Sequence, residues 1–246
     1  MKSEHYAEPV NNKLLRAYFD LVYNPVYDFI AAQFATYYRL QSACVDKLEF
    51  HDGDNVLCAG VGTGNEVIEV LGASKNVNIV GVDYSDTALN KAYRKALAWG
   101  KEIEVLPMDV QSLEFNTGSF DKVLCLHVMD WVEDDSRATT EIIRVLRDGG
   151  QFVITYPSDK ENFSLGINIL RDSIRHNGNT GRLKTIYSLF SSILLGGIVY
   201  LPLLFRPRRR SYSRRDLETV FSNLTNGDFG IEEYPAYNDF IIYGRK

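Results

Sequence analysis

Val56-Leu57-Cys58-Ala59-Gly60-Val61-Gly62-Thr63-Gly64-Asn65-Glu66 is the stretch on which the fold turns. A short apolar run enters three glycines at alternate positions and continues into residues that suit a helix. A buried strand that turns tightly into a helix, with its backbone close against a ligand, needs residues without a Cβ. The helix that follows offers its free N–H groups to a polar, partly anionic ligand. Glycine triplets occur in many turns, so the loop needs a second element.

That element is Asp83, which closes the apolar run Val77-Asn78-Ile79-Val80-Gly81-Val82 and lies 19 positions after Gly64. An acid at this distance, at the end of the second strand of a βαβ unit, can accept hydrogen bonds from both hydroxyls of a ribose. The spacing of the glycines differs from GxGxxG and argues against a dinucleotide-dependent dehydrogenase. A third strand, Glu104-Val105-Leu106-Pro107-Met108-Asp109-Val110, ends in another acid. After it come Gly118-Ser119-Phe120-Asp121, the apolar strand Lys122-Val123-Leu124-Cys125-Leu126-His127, and Glu141 to Ile154 with its Asp148-Gly149-Gly150 turn.

In this order the motifs resemble the class I S-adenosylmethionine-dependent methyltransferases, closely over about residues 50–157. Within that class the pattern is most similar to the quinone-ring C-methyltransferases and the bacterial phospholipid N-methyltransferases. The resemblance implies a Rossmann-like, doubly wound, mostly parallel seven-stranded sheet with a C-terminal antiparallel hairpin, N-terminal lid helices and a helical insertion before the last helix. It implies S-adenosyl-L-methionine as cofactor. Gly60, Gly62, Thr63 and Gly64 would pass under the methionine moiety, Asp83 would bind the ribose, and Tyr84 would lie against the adenine. Asp109 would accept from the adenine amino group, with the backbone of Met108 and Val110 completing that site. The carbonyl near Cys125 or Leu126 would hold the methionine amine. One position departs from the pattern: Cys58 stands where family members commonly carry an acid, and Glu66 could supply the charge instead.

The chain has 246 residues, 45% hydrophobic and 24% charged, as expected of a globular protein with a sizeable core. Cys44, Cys58 and Cys125 lack ligand-like spacing, which points to reduced thiols, no metal site and a cytoplasmic setting. Four regions are expected: an N-terminal helical lid over 1–50, a cofactor-binding core over 51–157, an apolar and basic insertion over 158–212, and a last helix with terminal strands over 213–246. Pro25 is expected to divide the N-terminal region into two helices. From Thr185 to Phe205 no residue is charged, and residues 206–215 carry six arginines and no acid in a chain of net charge −5. Three readings stay open: a lid over an apolar substrate, a segment that docks peripherally on an anionic membrane surface through 185–215, or a membrane-spanning helix, against which Gly196-Gly197, Pro202 and four serine or threonine hydroxyls count. The basic run is short, has little interleaved aromatic character and adjoins an acidic remainder, so no nucleic-acid partner is expected.

Methyl transfer from a sulfonium asks the protein mainly for positioning and a dry pocket, and for a base where the acceptor must lose a proton. The candidates for that base or for acceptor contact are His127, Asp130, Tyr23, Tyr27 and Tyr156. His127, at the end of the fourth strand, leads, because imidazole ordinarily titrates near neutrality. Tyr23 and Tyr27 belong to the lid, where helix packing is the competing role. His51 and His176 receive none. The acceptor is expected to be small and lipophilic: a quinone, a lipid or a hydrophobic secondary metabolite. A small polar acceptor, or a cofactor-binding partner protein that transfers no methyl, are the alternatives. The oligomeric state stays open.

Overall fold

The computed structural model describes residues 17–32, 35–159, 211–225 and 227–246. Its centre is a seven-stranded sheet in the order β3-β2-β1-β4-β5-β7-β6. The strands are β1 (Asn55–Ala59), β2 (Asn78–Asp83), β3 (Glu104–Pro107), β4 (Phe120–Cys125), β5 (Leu146–Pro157), β6 (Phe229–Tyr234) and β7 (Asp239–Arg245). The first five are parallel, and β7 runs antiparallel between β5 and β6. This is the expected doubly wound sheet with its terminal hairpin. β1 and β4 lie side by side at the centre, where the strand order reverses. In open α/β sheets, ligands bind at that reversal, beyond the carboxyl ends of the strands.

The central strands form because their sequences are apolar on both faces, which suits parallel strands covered on each side by helices. One core layer holds Leu57, Val123, Phe152, Ile154 and Phe221, and the other holds Val56, Cys58, Leu124, Val153 and Ile241. The alternation within β1, β4 and β5 divides their side chains between the layers.

The helices are α1 (Asn24–Ala31), α2 (Ala35–Val45), α3 (Asn65–Ala73), α4 (Asp86–Ala98), α5 (Asp135–Val145) and α6 (Arg214–Leu224). Local caps start three of them. The Ser85 side chain accepts from the Ala88 N–H at α4, Asp134 accepts from Arg137 at α5, and Ser213 and Asp216 form a reciprocal capping box at α6. The Glu141–Arg144 pair on α5 anchors the loop after β3. Glu141 accepts from the Leu113 N–H, while Arg144 donates to the carbonyls of Leu113 and Phe115.

Pro25 does not divide the N-terminal helix. A π-helical turn, Phe19–Tyr23, runs directly into α1, with the Asn24 N–H donating to the Phe19 carbonyl. The proline lies inside this continuous helical run, directly after the π-helical turn, and removes one N–H from the ladder without ending the helix. The separate helix begins only at Ala35.

The expected insertion lies largely outside the described residues, but its two ends are fixed. The Asp159 N–H donates to the Tyr212 carbonyl, and the Tyr212 N–H donates to the Pro157 carbonyl. The chain therefore leaves the sheet and rejoins it at one place, the carboxyl end of β5.

Candidate active site

The glycine loop joins β1 to α3. Gly60, Gly62 and Gly64 have φ of +74°, +51° and +80°, the left-handed region that glycine enters without strain. A Cβ on Gly60 would stand 2.3 Å from Val128, and one on Gly64 would stand 2.7 Å from the Ala92 backbone. The loop is thus pressed between the segment after β4 and helix α4. At Gly62 a Cβ would meet no atom nearer than the Gly60 carbonyl oxygen at 4.0 Å, so the loop's middle faces open space.

That space is a cavity of about 420 Å³ at the carboxyl ends of β1, β2 and β4. Asp83 stands at its rim and binds the loop directly: one carboxylate oxygen accepts from the Gly62 N–H at 2.9 Å and the other from the Ser85 N–H at 2.9 Å. Burial pushes the Asp83 carboxyl up to about 6 against the pull of these N–H groups. Tyr84, Met108, Asp109 and Val110 line the same end. Asp109 accepts from both the backbone and the side-chain amide of Gln111. Phe19 and Trp131 meet edge to face at 4.9 Å beside Tyr84 and add an aromatic wall.

The N-terminal segment is tied to this loop by polar contacts. The Thr63 hydroxyl donates to Asp28 at 2.6 Å, and Lys95 donates to Asp28 at 2.7 Å and to Asn65 at 2.6 Å. The Asn24 amide donates to Ser85 at 2.8 Å, and Lys91 donates to the Asn24 carbonyl at 2.6 Å. Helix α1 therefore closes one side of the cavity.

At the other end, β4 stops at Cys125, and His127 follows it with φ of +59°, a costly conformation for a residue with a side chain. Its N–H donates to the Thr155 hydroxyl at 2.8 Å. Its Nδ1 stands 3.2 Å from the carboxylate of Asp239, the buried first residue of β7. Its Nε2 is buried and has no hydrogen-bond partner among the described residues. Tyr37 stacks on the imidazole at 5.4 Å, and Tyr237 lies 4.9 Å away. The Gln41 amide donates to the Tyr37 hydroxyl at 2.7 Å, and its carbonyl oxygen is buried without a partner among the described residues.

Most of the residues expected at the site line this one cavity: Gly60, Gly62, Thr63, Asp83, Tyr84, Met108, Asp109, Val110, Leu126, His127, Asp130, Tyr23 and Tyr27. Tyr23 and Tyr27 also stack on each other at 5.0 Å, so packing and lining coincide. Gly64 caps α3 behind the loop. Leu126 lines the cavity and the Cys125 side chain is wholly buried in the core; the expectation at that place rests on a main-chain carbonyl. One expectation is corrected. Tyr156 also faces the core, with its hydroxyl bonded to Thr139 of α5, and is not available as a base. His51 is exposed, and His176 and residues 185–210 lie outside the described residues. The sequence reading missed Asp239, Tyr237, Tyr37, Gln41 and Asp28. Their positions carry no motif, and only the terminal hairpin and the lid helices bring them to the loop.

Residues 57–154 match the family described as a methyltransferase domain. A phosphatidylethanolamine N-methyltransferase of Cereibacter sphaeroides is 35% identical over 42% of this chain and 50% of the relative. A demethylmenaquinone methyltransferase of Thermus thermophilus is 32% identical over 40% of this chain and 45% of the relative. The chain thus spans about half the length of the curated relatives it matches. The magnesium protoporphyrin IX methyltransferase of Synechocystis PCC 6803, solved with bound SAH, shares the fold at 19% identity and a TM-score of 0.64, over 96% of this chain and 100% of that one. With the strand order, the glycine loop pressed against an open cavity and the acid at the end of β2, residues 57–154 form a methyltransferase domain of the class I S-adenosylmethionine-dependent type, whose cofactor is S-adenosylmethionine.

Proposed function

We propose that the protein transfers a methyl group from S-adenosylmethionine to a small lipophilic acceptor, with His127 as the base. The observation that carries this reading is the His127–Asp239 pair. Its carboxylate stands at Nδ1, its Nε2 is unpartnered among the described residues, and its aromatic-walled pocket is continuous with the glycine loop. A base oriented through one nitrogen presents the other to a proton. The bound cofactor would supply a methyl group activated on a sulfonium. Gly60, Gly62 and Gly64 would carry its methionine end, Asp83 its ribose, and Tyr84 and Asp109 its adenine. Tyr37 and Tyr237 would flank the acceptor, and Gln41 would offer it a buried carbonyl oxygen. His127 Nε2 would take the proton that the acceptor gives up, and Asp239 would stabilise the imidazolium.

Three features support lipophilicity: the aromatic walls, the uncharged stretch from Thr185 to Phe205, and matched relatives named for lipid and quinone substrates. Peripheral membrane docking through 185–215 is part of the same proposal.

The test is incubation of the protein with methyl-labelled cofactor and a total lipid extract. Label is expected in an organic-soluble product. His127→Asn, a residue that tolerates left-handed backbone, should lower turnover by about a hundredfold with cofactor affinity kept. Asp239→Asn should lower it by about tenfold. Label found only in a water-soluble product would sink the lipophilic acceptor. Cofactor binding without transfer to any extract would leave a cofactor-binding partner protein. Full activity in His127→Asn would return that residue to packing.

A further inference from the structure

Glu66 is the second residue of α3, directly after the glycine loop, and only 6% of its surface is exposed. Its side chain lines the cavity together with Gly60 and Leu126. Among the described residues no cation stands within ion-pair distance of it, and Lys95, the cation that acts on it, is engaged with Asp28, Thr63 and Asn65. A carboxyl group placed this deep, on the wall of a ligand cavity, is costly as an anion unless the ligand brings the positive charge.

The surroundings narrow what that ligand group is. The Glu66 charge is felt by Cys58 at the end of β1, Cys125 at the end of β4 and Tyr37 of α2, while Lys95 of α4 and Asp83 of β2 act on Glu66. It therefore sits between the carboxyl ends of β1 and β4, under the loop and away from the adenine end at Met108 and Asp109. Cys58 itself is wholly buried in the core, with its thiol pushed up by burial first and Glu66 second, and carries no charge. We infer that Glu66 is the counter-ion for the ammonium group of the cofactor's amino-acid end, so that the anion at this place is carried by α3 in a chain with Cys58 as the penultimate residue of β1.

The inference has a proton signature. Burial pushes the Glu66 carboxyl up to about 8, its own backbone N–H and Lys95 pull it down, and Asp83 raises it again. At pH 7 the empty site would hold this group protonated in roughly nine molecules of ten. An ammonium at hydrogen-bond distance favours the carboxylate, so binding expels the proton.

Calorimetry at pH 7 in two buffers of different ionisation enthalpy reads this directly. S-adenosylhomocysteine, which has the ammonium, is expected to release close to one proton. 5′-Methylthioadenosine, which lacks the amino-acid end but keeps ribose and adenine, is expected to release almost none. Glu66→Gln should bind S-adenosylhomocysteine at least tenfold more weakly and without proton release, and should bind methylthioadenosine within twofold of wild type. Adding Cys58→Asp to Glu66→Gln should restore much of the lost affinity. Equal proton release by the two ligands in the wild-type protein, a comparison that needs no variant to fold, overturns the inference. So does wild-type affinity for S-adenosylhomocysteine in Glu66→Gln.

Discussion

Two carboxyls withdrawn from water, Asp83 and Glu66, line one cavity, and on the proposed roles their protonation sets when it can bind. Asp83 organises the loop through the Gly62 and Ser85 N–H groups before any ribose arrives. Ribose hydroxyls donate, so the ionised form is the binding form. Its value of about 6 means that affinity for S-adenosylhomocysteine should fall as pH drops below 6, beyond the loss between pH 8 and 6 assigned to Glu66. The slope of log affinity against pH should therefore approach one between pH 6 and 8 and steepen below 6. Asp83→Ala should weaken binding more than tenfold, through loss of charge-assisted hydrogen bonds, and remove the steeper acid limb. Calorimetry from pH 5 to 8.5 checks both, and equal affinity in wild type and Asp83→Ala would end the ribose assignment.

Among the elements, α5 and α1 do distinct work. Helix α5 holds the loop after β3 through Glu141 and Arg144, and so steadies Met108 to Val110 at the end of the cavity proposed for the adenine. Arg144→Ala would leave two carbonyls without their donor and is expected to cost about 1–3 kcal/mol in urea unfolding. The hydrogen bonds from Arg144 hold the Glu141 carboxyl below the usual carboxylate range. A carboxyl lowered on folding contributes above its unfolded value of about 4.3 and loses that contribution as pH falls through its folded value. The wild-type advantage over Arg144→Ala should therefore shrink in acid. Helix α1 is pinned mainly by side chains, Asp28 above all. Asp28→Ala should speed hydrogen exchange in residues 24–31 while the central strands stay protected. Unchanged exchange in α1 would mean that packing of Phe19, Tyr23 and Tyr27 holds the helix without the latch.

On the scale of the whole molecule, the chain between Asp159 and Tyr212 departs and returns at the carboxyl end of β5, beside Pro157 on the cavity wall. On the proposed reading, this is the end of the cavity that receives the acceptor. No helix among the described residues is long and apolar enough to cross a membrane. If 185–215 docks on anionic lipid, the protein should sediment with liposomes containing such lipid, and high salt should release part of it. Arg208, Arg209 and Arg210 replaced by serine should abolish the preference for anionic lipid. Protein that stays in the supernatant with every lipid would leave the segment as a lid alone.

The sequence by itself determined the sheet, the glycine loop and the acid at the end of β2. These rest on local signals: apolar strand runs, glycines where the backbone must turn left-handed, and an acid at a fixed distance within one βαβ unit. The last helix was legible for the same reason, because the Ser213 cap that starts it acts within one turn. Only the tertiary structure decided what surrounds His127. Asp239 reaches His127 from a strand more than a hundred residues away because β7 inserts beside β5, and nothing near Asp239 in sequence marks it. The inward turn of Tyr156 was likewise hidden. A strand buried on both faces is apolar throughout, and without polar alternation the sequence does not say which side chain meets the core and which the cavity. Glu66 combines the two cases: its place after the loop is read from sequence, but its burial between β1 and β4 follows from how α3 packs on the sheet.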